Sequence, residues 1–167
     1  MDVDDRVKDG RDESPNERAD RNWDELMQEL RVMQTGTQVL SGFLLAVAFT
    51  PRFTELDAEQ RLLYLVLVGL AALATVLALT PVGLHRALFG RRRKPQLVRF
   101  ASHIVKADLV VIGVLSVGVT ALIVDFTVDR GTAIVTLIAG AAVILALWGL
   151  LPRLIHRRRE DVTADQR

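Results

Sequence analysis

The sequence predicts an all-α protein, a four-helix transmembrane bundle with an amphipathic cytoplasmic extension of the first helix. The first observation is a set of four apolar stretches, at residues 33–50, 62–84, 107–128 and 132–151. At about 1.5 Å per residue, each is long enough to cross most or all of a hydrocarbon core of about 30 Å. The second observation is that charged residues, a quarter of the chain, are concentrated outside these stretches.

The two ends of the chain are predicted to lie outside the bilayer. Residues 1–31 carry 11 acidic and 6 basic side chains. Residues 1–21 contain too few apolar groups to offset the entropy cost of ordering. We therefore expect a disordered acidic cytoplasmic tail over residues 1–21, a membrane domain over 22–156, and a basic, then polar, cytoplasmic tail over 157–167.

The first helix is predicted to begin in water and to continue into the bilayer. Asn22 is followed three residues later by an acid, the spacing of an N-cap with its capping partner. One long helix over residues 23–49 should follow, closed by Pro51. A cap at Thr54 is expected to begin the second helix, and Pro81 to bend or end it.

The distribution of basic residues predicts the orientation. The connection at 84–107 holds seven basic residues and no acid, whereas the connection at 51–61 holds three acids. Because short connections rich in Lys and Arg stay in the cytoplasm, we expect a multi-pass protein of the bacterial inner membrane with both termini cytoplasmic. The densest basic run is a candidate contact for anionic lipid headgroups: Arg91, Arg92, Arg93 and Lys94.

A stripe along the first helix changes character between its two halves. The predicted cytoplasmic half is apolar at Trp23, Met27 and Leu30, and the predicted membrane half is polar. Both halves are explained if this face contacts protein throughout, so that amides are paired inside the membrane. The polar groups either hold helices together or line a hydrated path or small-molecule site: Gln34, Thr37, Gln38 and Ser41.

Asp108 is the candidate titrating acid. It lies at the start of the third apolar stretch, beside Lys106 and near His103. One interpretation is an interfacial acid neutralised by these neighbours, and the other is a proton- or cation-binding group. Because no carboxylate lies at the middle of a stretch, the sequence argues against a pump or antiporter built on a midplane acid.

Known catalytic and cofactor patterns are missing from the sequence. There is no cysteine, and three separated histidines do not form a metal-binding pattern. No phosphate-binding glycine loop, zinc-protease motif or nucleophile elbow is present. We therefore expect no enzyme activity, no cofactor, no metal site and no nucleic-acid partner.

The chain resembles a family of small integral membrane proteins from high-GC Gram-positive bacteria, classified as a domain of unknown function. The resemblance rests on ELMQELRVMQTGTQVL at residues 25–40 and on short motifs around residues 60–64 and 81–86. It implies an amphipathic lead-in, four membrane spans and, for some members, the label sodium:proton antiporter. The family motifs fall on these candidate residues: Glu29, Arg31, Gln34, Gln38, Arg61, Tyr64, His85 and Arg86.

Three functions remain open at the level of sequence. The first is a structural, assembly or interaction component of the membrane, working as a homo-oligomer or within a larger complex. The second is a small cation or proton transporter, which requires water access to Gln34, Gln38 and Asp108. The third is a regulatory protein that binds anionic lipid or a partner through residues 86–94 and the tail.

Overall fold

The computed structural model describes residues 14–87, 94–150 and 153, and every regular element in these ranges is helical. The connection between α1 and α2 contains a short 3₁₀ turn, Pro51–Glu55. The last helix continues into a π-helical segment, Leu145–Leu150. The four helices are α1 (Pro15–Ala48), α2 (Ala58–Ala87), α3 (Lys94–Thr127) and α4 (Arg130–Ile144).

Three of these four helices are long and apolar enough to cross a membrane. They are α2, α3 from Leu97 onward, and α4 with its π-helical extension. The expected all-helical fold is therefore confirmed, and the apolar helices indicate a membrane protein. The first helix is long enough to cross a membrane but is not apolar enough, because Arg31, Gln34 and Gln38 interrupt its apolar residues.

The first helix begins earlier than expected. Ser14 caps α1 by accepting the amide of Glu17, whose carboxylate in turn accepts the amide of Ser14. Pro15 stands in the first turn, where its missing N–H costs nothing. The predicted start at Asn22 is thus wrong, and so is the predicted disorder for residues 15–21. Residues 1–13 lie outside the described part of the chain.

The second helix also begins and ends differently from the expectation. Its cap is Asp57, which accepts the amide of Gln60 at 2.8 Å, while the Gln60 side chain accepts the amide of Asp57. Thr54 instead belongs to the 3₁₀ turn and donates its hydroxyl to Pro51 O. Pro81 lies buried inside α2, which continues to Ala87, because neighbouring packing outweighs the loss of one main-chain hydrogen bond.

The core forms where α1, α2 and α3 pack together. The helices run alternately up and down, so the C-terminal ends of α1 and α3 lie beside the N-terminal ends of α2 and α4. The buried positions of α2 alternate spacings of three and four, the seven-residue repeat of a left-handed supercoil: Tyr64, Leu67, Ala71, Ala74, Ala78 and Pro81.

The fourth helix packs along α3. Of residues 130–150, Ala133 alone is buried. Contact between the two helices is close at two glycines, since a Cβ built at Gly113 would lie 2.8 Å from Trp148 Cη2 and one at Gly140 would lie 2.8 Å from Val117 Cγ1. The fold is thus a three-helix core with α4 attached to one side.

Candidate functional site

The face of α1 that seals the core is centred on three residues seven positions apart: Leu30, Thr37 and Leu44. Thr37 is 4% exposed and donates its hydroxyl to Met33 O at 3.0 Å, so it is satisfied within its own helix. Thr37 belongs to the predicted polar stripe, together with Gln34 and Gln38. The observed core face is rotated toward Thr37 and away from Gln38, which is one residue and about 100° further round the helix.

The predicted polar stripe is therefore divided between two environments. Thr37 and the Oγ atom of Ser41 are buried, and Gln34 is half-buried. Gln38 is exposed, on the same outward face as Gly42 and Leu45. A Cβ at Gly42 would meet no atom within 4 Å, so no other part of the described chain packs directly on Gly42.

Asp108 lies inside the core rather than at its surface. The residue is 0% exposed, and neither carboxylate oxygen accepts a hydrogen bond from any described residue. Lys106 and His103 are exposed, and His103 Nδ1 lies 2.8 Å from Arg99 O. The expected neutralisation of Asp108 by these two neighbours is thus not what the structure contains.

The cytoplasmic half of the predicted stripe is anchored to α2. The rings of Trp23 and His85 stack with centroids 4.8 Å apart, and Leu30 packs with Ala78 and Val105 in a buried cluster. This part of the prediction is confirmed for residues 23–30, since apolar side chains there contact protein. Apolar side chains contact protein here because α1, α2 and α3 all continue beyond the apolar stretches.

The family-motif residues do not form one cluster. Tyr64 is buried and donates its hydroxyl to Leu44 O at 3.0 Å. His85 lies on Trp23, at the opposite end of α2. Of the other candidates, Gln34 is half-buried and the rest are exposed at separate places on α1 and α2: Glu29, Arg31, Gln38, Arg61 and Arg86.

An ion-pair cluster that the sequence analysis missed joins three helices at one end of the fold. Arg130 pairs with Asp57 at 2.7 Å and with Asp125 at 3.2 Å, and its Nη1 atom also donates to Glu59. The amide of Gln60 holds the pKa of Asp57 below its usual value, and the charge of Arg130 acts in the same direction. An arginine just before the fourth apolar stretch, opposite the acidic connection at 51–61, is the sequence signal that could have revealed this cluster.

A half-open apolar cleft of about 330 Å³ lies between the C-terminal ends of α1 and α3. Arg52 stands over it, with its guanidinium carbon 5.3 Å from the centroid of the Phe126 ring. No described residue forms an ion pair with Arg52, in contrast to Arg130. The cleft is lined mainly by Phe43, Val47, Phe53, Leu122, Ile123 and Phe126.

Most of the predicted lipid-headgroup run lies outside the described residues. Arg91, Arg92 and Arg93 lie outside the described residues, and Lys94 is described only as the first residue of α3.

In the part of the chain that the structure describes, no group of three His, Asp or Glu side chains could hold a metal ion. A protein-bound metal therefore gains no support from the described residues.

Comparison with known proteins gives a family but no activity. A family model described as a family of unknown function, DUF6328, matches residues 12–152. No curated protein and no solved structure matches the chain significantly. The matched region contains all four helices, so the family resemblance extends over the whole helical part of the chain.

Proposed function

Because the chain belongs to the DUF6328 family of unknown function, we propose a role for it from its own geometry. The protein is a non-enzymatic, multi-pass component of the bacterial inner membrane that assembles with a second copy of itself. The observation that carries this proposal is the exposed side chain of Gln38 on the outward face of α1.

The packing of α1 supports a fourth membrane crossing. Leu44 shares a buried cluster with Tyr64, and Leu30 shares another with Ala78. The two pairs are 14 residues apart on both helices, about 21 Å along the axis. If α2 crosses a bilayer between Tyr64 and Ala78, the segment of α1 between Leu30 and Leu44 therefore lies at the same depth in that bilayer.

The depth of Gln38 explains why it requires a partner. It lies ten residues before the end of α1 at Ala48, about 15 Å along the helix and half the thickness of a hydrocarbon core. An amide that faces lipid there has no group with which to form hydrogen bonds, and this costs free energy. A protein surface against α1 removes that cost.

A second copy of the chain suits this face. The Gln side chain both donates and accepts, so two copies of Gln38 can pair with each other across a two-fold axis. Gly42, one turn away, has no side chain to keep the two backbones apart. The same face of α1 then forms both sides of the contact, as a two-fold symmetric dimer requires.

The absence of cysteine makes a direct test possible. Leu45→Cys places a thiol on the outward face of α1, and Leu62→Cys places one on α2 at a similar level, with similar exposure. Oxidation in native membranes should give a disulfide-linked dimer for Leu45→Cys, and Gln38→Leu should reduce its yield. Equal dimer yields at both positions, or none at Leu45, would contradict the proposal.

A second candidate function, transport of protons or small cations, is favoured by Asp108. A buried carboxylate without a hydrogen-bond partner is costly in its charged form and acquires a proton or a cation. A transport path would bring Asp108 and Gln38 together. This gains no support, because Asp108 is buried in the core whereas Gln38 is exposed on the outward face of α1. Liposomes containing a pH-sensitive dye should show cation-driven pH change that Asp108→Asn abolishes, if this candidate is correct.

A further inference from the structure

The cleft between α1 and α3 has apolar side chains on both of its walls. Phe43 and Val47 form one wall, Ile123 and Phe126 form the other, and the buried Leu56 lies at the 3₁₀ turn. Its volume of about 330 Å³ falls within the range of small-ligand sites, about 300–1,000 Å³. The walls therefore form a pocket for an apolar group.

The hydroxyl groups of the cleft are already occupied. Thr50 donates to Val47 O at 2.8 Å, and Thr127 donates to Ile123 O at 2.7 Å. A polar ligand entering the cleft would lose its hydrogen bonds to water and find no free donor from these two residues. The apolar part of the lining thus selects against sugars and other uncharged polar compounds.

The charge at the cleft is carried by Arg52. This guanidinium forms no ion pair with a described carboxylate, although Arg130 at the same end of the fold contacts three. Its planar set of N–H donors matches the geometry of a phosphate group. An uncompensated arginine above an apolar pocket is complementary to a molecule with an anionic head and a hydrocarbon tail.

The position of the cleft agrees with such a ligand. From Phe43 to Thr50 the cleft follows the last six residues of α1 and the two residues after it, about 10 Å and less than one leaflet of the hydrocarbon core. Arg52 stands beyond the end of the helix, where lipid headgroups begin if α1 crosses the membrane. An acyl chain in the cleft would therefore run along α1 with its headgroup beside Arg52.

We propose that this cleft binds one anionic glycerophospholipid, with an acyl chain between α1 and α3 and the lipid phosphate on Arg52. The site uses a different side of α1 from the Gln38 face, so it does not depend on self-association. The lipid would fill the gap between the two helices and contribute to their packing.

Native mass spectrometry of the full-length protein in detergent would test the lipid site. The probes are phosphatidylglycerol and phosphatidylcholine with identical acyl chains, and glycerol phosphate without chains. One phosphatidylglycerol should bind about fivefold more tightly than phosphatidylcholine, the usual effect of one basic residue on an anionic lipid. Arg52→Gln should remove this preference, whereas Arg61→Gln, which removes an exposed charge outside the cleft, should preserve it.

A second pair of variants tests the apolar part of the site. Ile123→Phe fills the cleft and should weaken binding of both lipids, while Leu79→Phe adds the same bulk on an exposed position of α2 and should leave binding unchanged. Equal effects of Arg52→Gln and Arg61→Gln would overturn the proposal. So would glycerol phosphate competing as well as the lipid, or loss of a dimer in Ile123→Phe, which would identify a second copy as the occupant.

Discussion

The phenolic hydroxyl of Tyr64 donates to the main-chain oxygen of Leu44 at 3.0 Å, which joins α2 to α1 within the buried core. The Tyr64 ring also packs edge-on against Phe53, with centroids 4.9 Å apart, and so contacts the turn between the two helices. This arrangement places one hydrogen bond in a setting where water cannot replace it.

Tyr64→Phe should destabilise the fold by about 1 kcal/mol, because the ring contacts remain and one buried hydrogen bond is lost. Tyr64→Ala should cost about 3–5 kcal/mol, since it also removes an aromatic ring from the core. Reversible unfolding in mixed micelles gives both values. A Tyr64→Phe protein as stable as the wild type would mean that the hydrogen bond contributes nothing in the membrane domain.

The contact of Gly113 with Trp148 predicts how α4 is attached. Gly113→Ala would place a methyl group 2.8 Å from the indole ring of Trp148, so either this side chain or α4 itself must shift away from α3. We expect a loss of about 1–3 kcal/mol. Gly69→Ala is the matched control, because a Cβ there meets nothing within 4 Å and only improves helix propensity.

The readout for the Gly113 pair is the fluorescence of Trp148, measured in a Trp23→Phe background because the chain has two tryptophans, together with thermal stability. A red-shifted emission and a lower melting temperature for Gly113→Ala, with neither change for Gly69→Ala, is the expected result. Unchanged emission and stability in both variants would show that α4 is not held against Gly113.

Asp129 predicts a pH dependence at the start of α4. Its carboxylate accepts the amide of Thr132 at 2.9 Å and the Thr132 hydroxyl at 2.8 Å. The Thr132 amide, and then its hydroxyl, lower the pKa of Asp129 below its ordinary value of 3.8. Because the folded-state pKa is the lower one, this stabilisation is complete above pH 3.8 and is lost as the pH falls through the folded-state pKa.

Asp129→Ala should lower the melting temperature at pH 7 by a few degrees, the usual effect of losing an N-cap. The difference from the wild type should shrink at acidic pH. Asp129→Ser retains a capping oxygen without the charge, so it should recover much of the stability and show less pH dependence. A wild type and an Asp129→Ala variant that differ equally at every pH would contradict this account.

The number of membrane crossings can be determined from the two ends of the described chain. If α1 crosses together with α2, α3 and α4, then Ser14 and Arg153 lie on the same side. Single cysteines at these positions should then react with a membrane-impermeant maleimide only in inside-out vesicles. Labelling of Ser14→Cys and Arg153→Cys from opposite sides would mean that three helices cross and α1 does not.

Hydropathy and charge were sufficient to predict most of the helical architecture, because long apolar segments have few alternatives in a membrane. The face of α1 was harder to predict. A straight helix at 100° per residue centres the polar stripe near Gln34 and Gln38, whereas Leu30, Thr37 and Leu44 follow the 3.5-residue period of supercoiled helices. The small residues Ala71, Ala74 and Ala78 of α2 carry the same period and could have revealed it.

The site-level features depend on contacts between distant segments, which a single sequence does not specify. Arg130 and Asp57 are 73 residues apart along the chain, yet they form an ion pair at 2.7 Å. The cleft at Arg52 exists only because the ends of α1 and α3 are adjacent. A hydropathy pattern places Asp108 at the edge of an apolar stretch, and so predicts an interfacial position. It does not show that neighbouring helices extend past this edge and bury Asp108.

Variants of Asp108 can distinguish a structural role of its carboxyl group from a functional one. Asp108→Val replaces a buried carboxylate that accepts no described hydrogen bond, so it should stabilise the purified protein by about 1–3 kcal/mol. Asp108→Asn should have a smaller effect because the amide remains without a partner. Lys106→Gln, an exposed change two residues away, is the control and should be neutral.

Chemical unfolding in micelles measures these differences, and a growth assay of the same variants in the native host measures their cost. A stabilised Asp108→Val protein that no longer supports growth would mean that the carboxyl group is retained for a function, at the expense of stability. If Asp108→Val and Asp108→Asn both unfold the bundle, the carboxyl group has a stabilising partner, and the assignment of an unpaired buried acid is wrong.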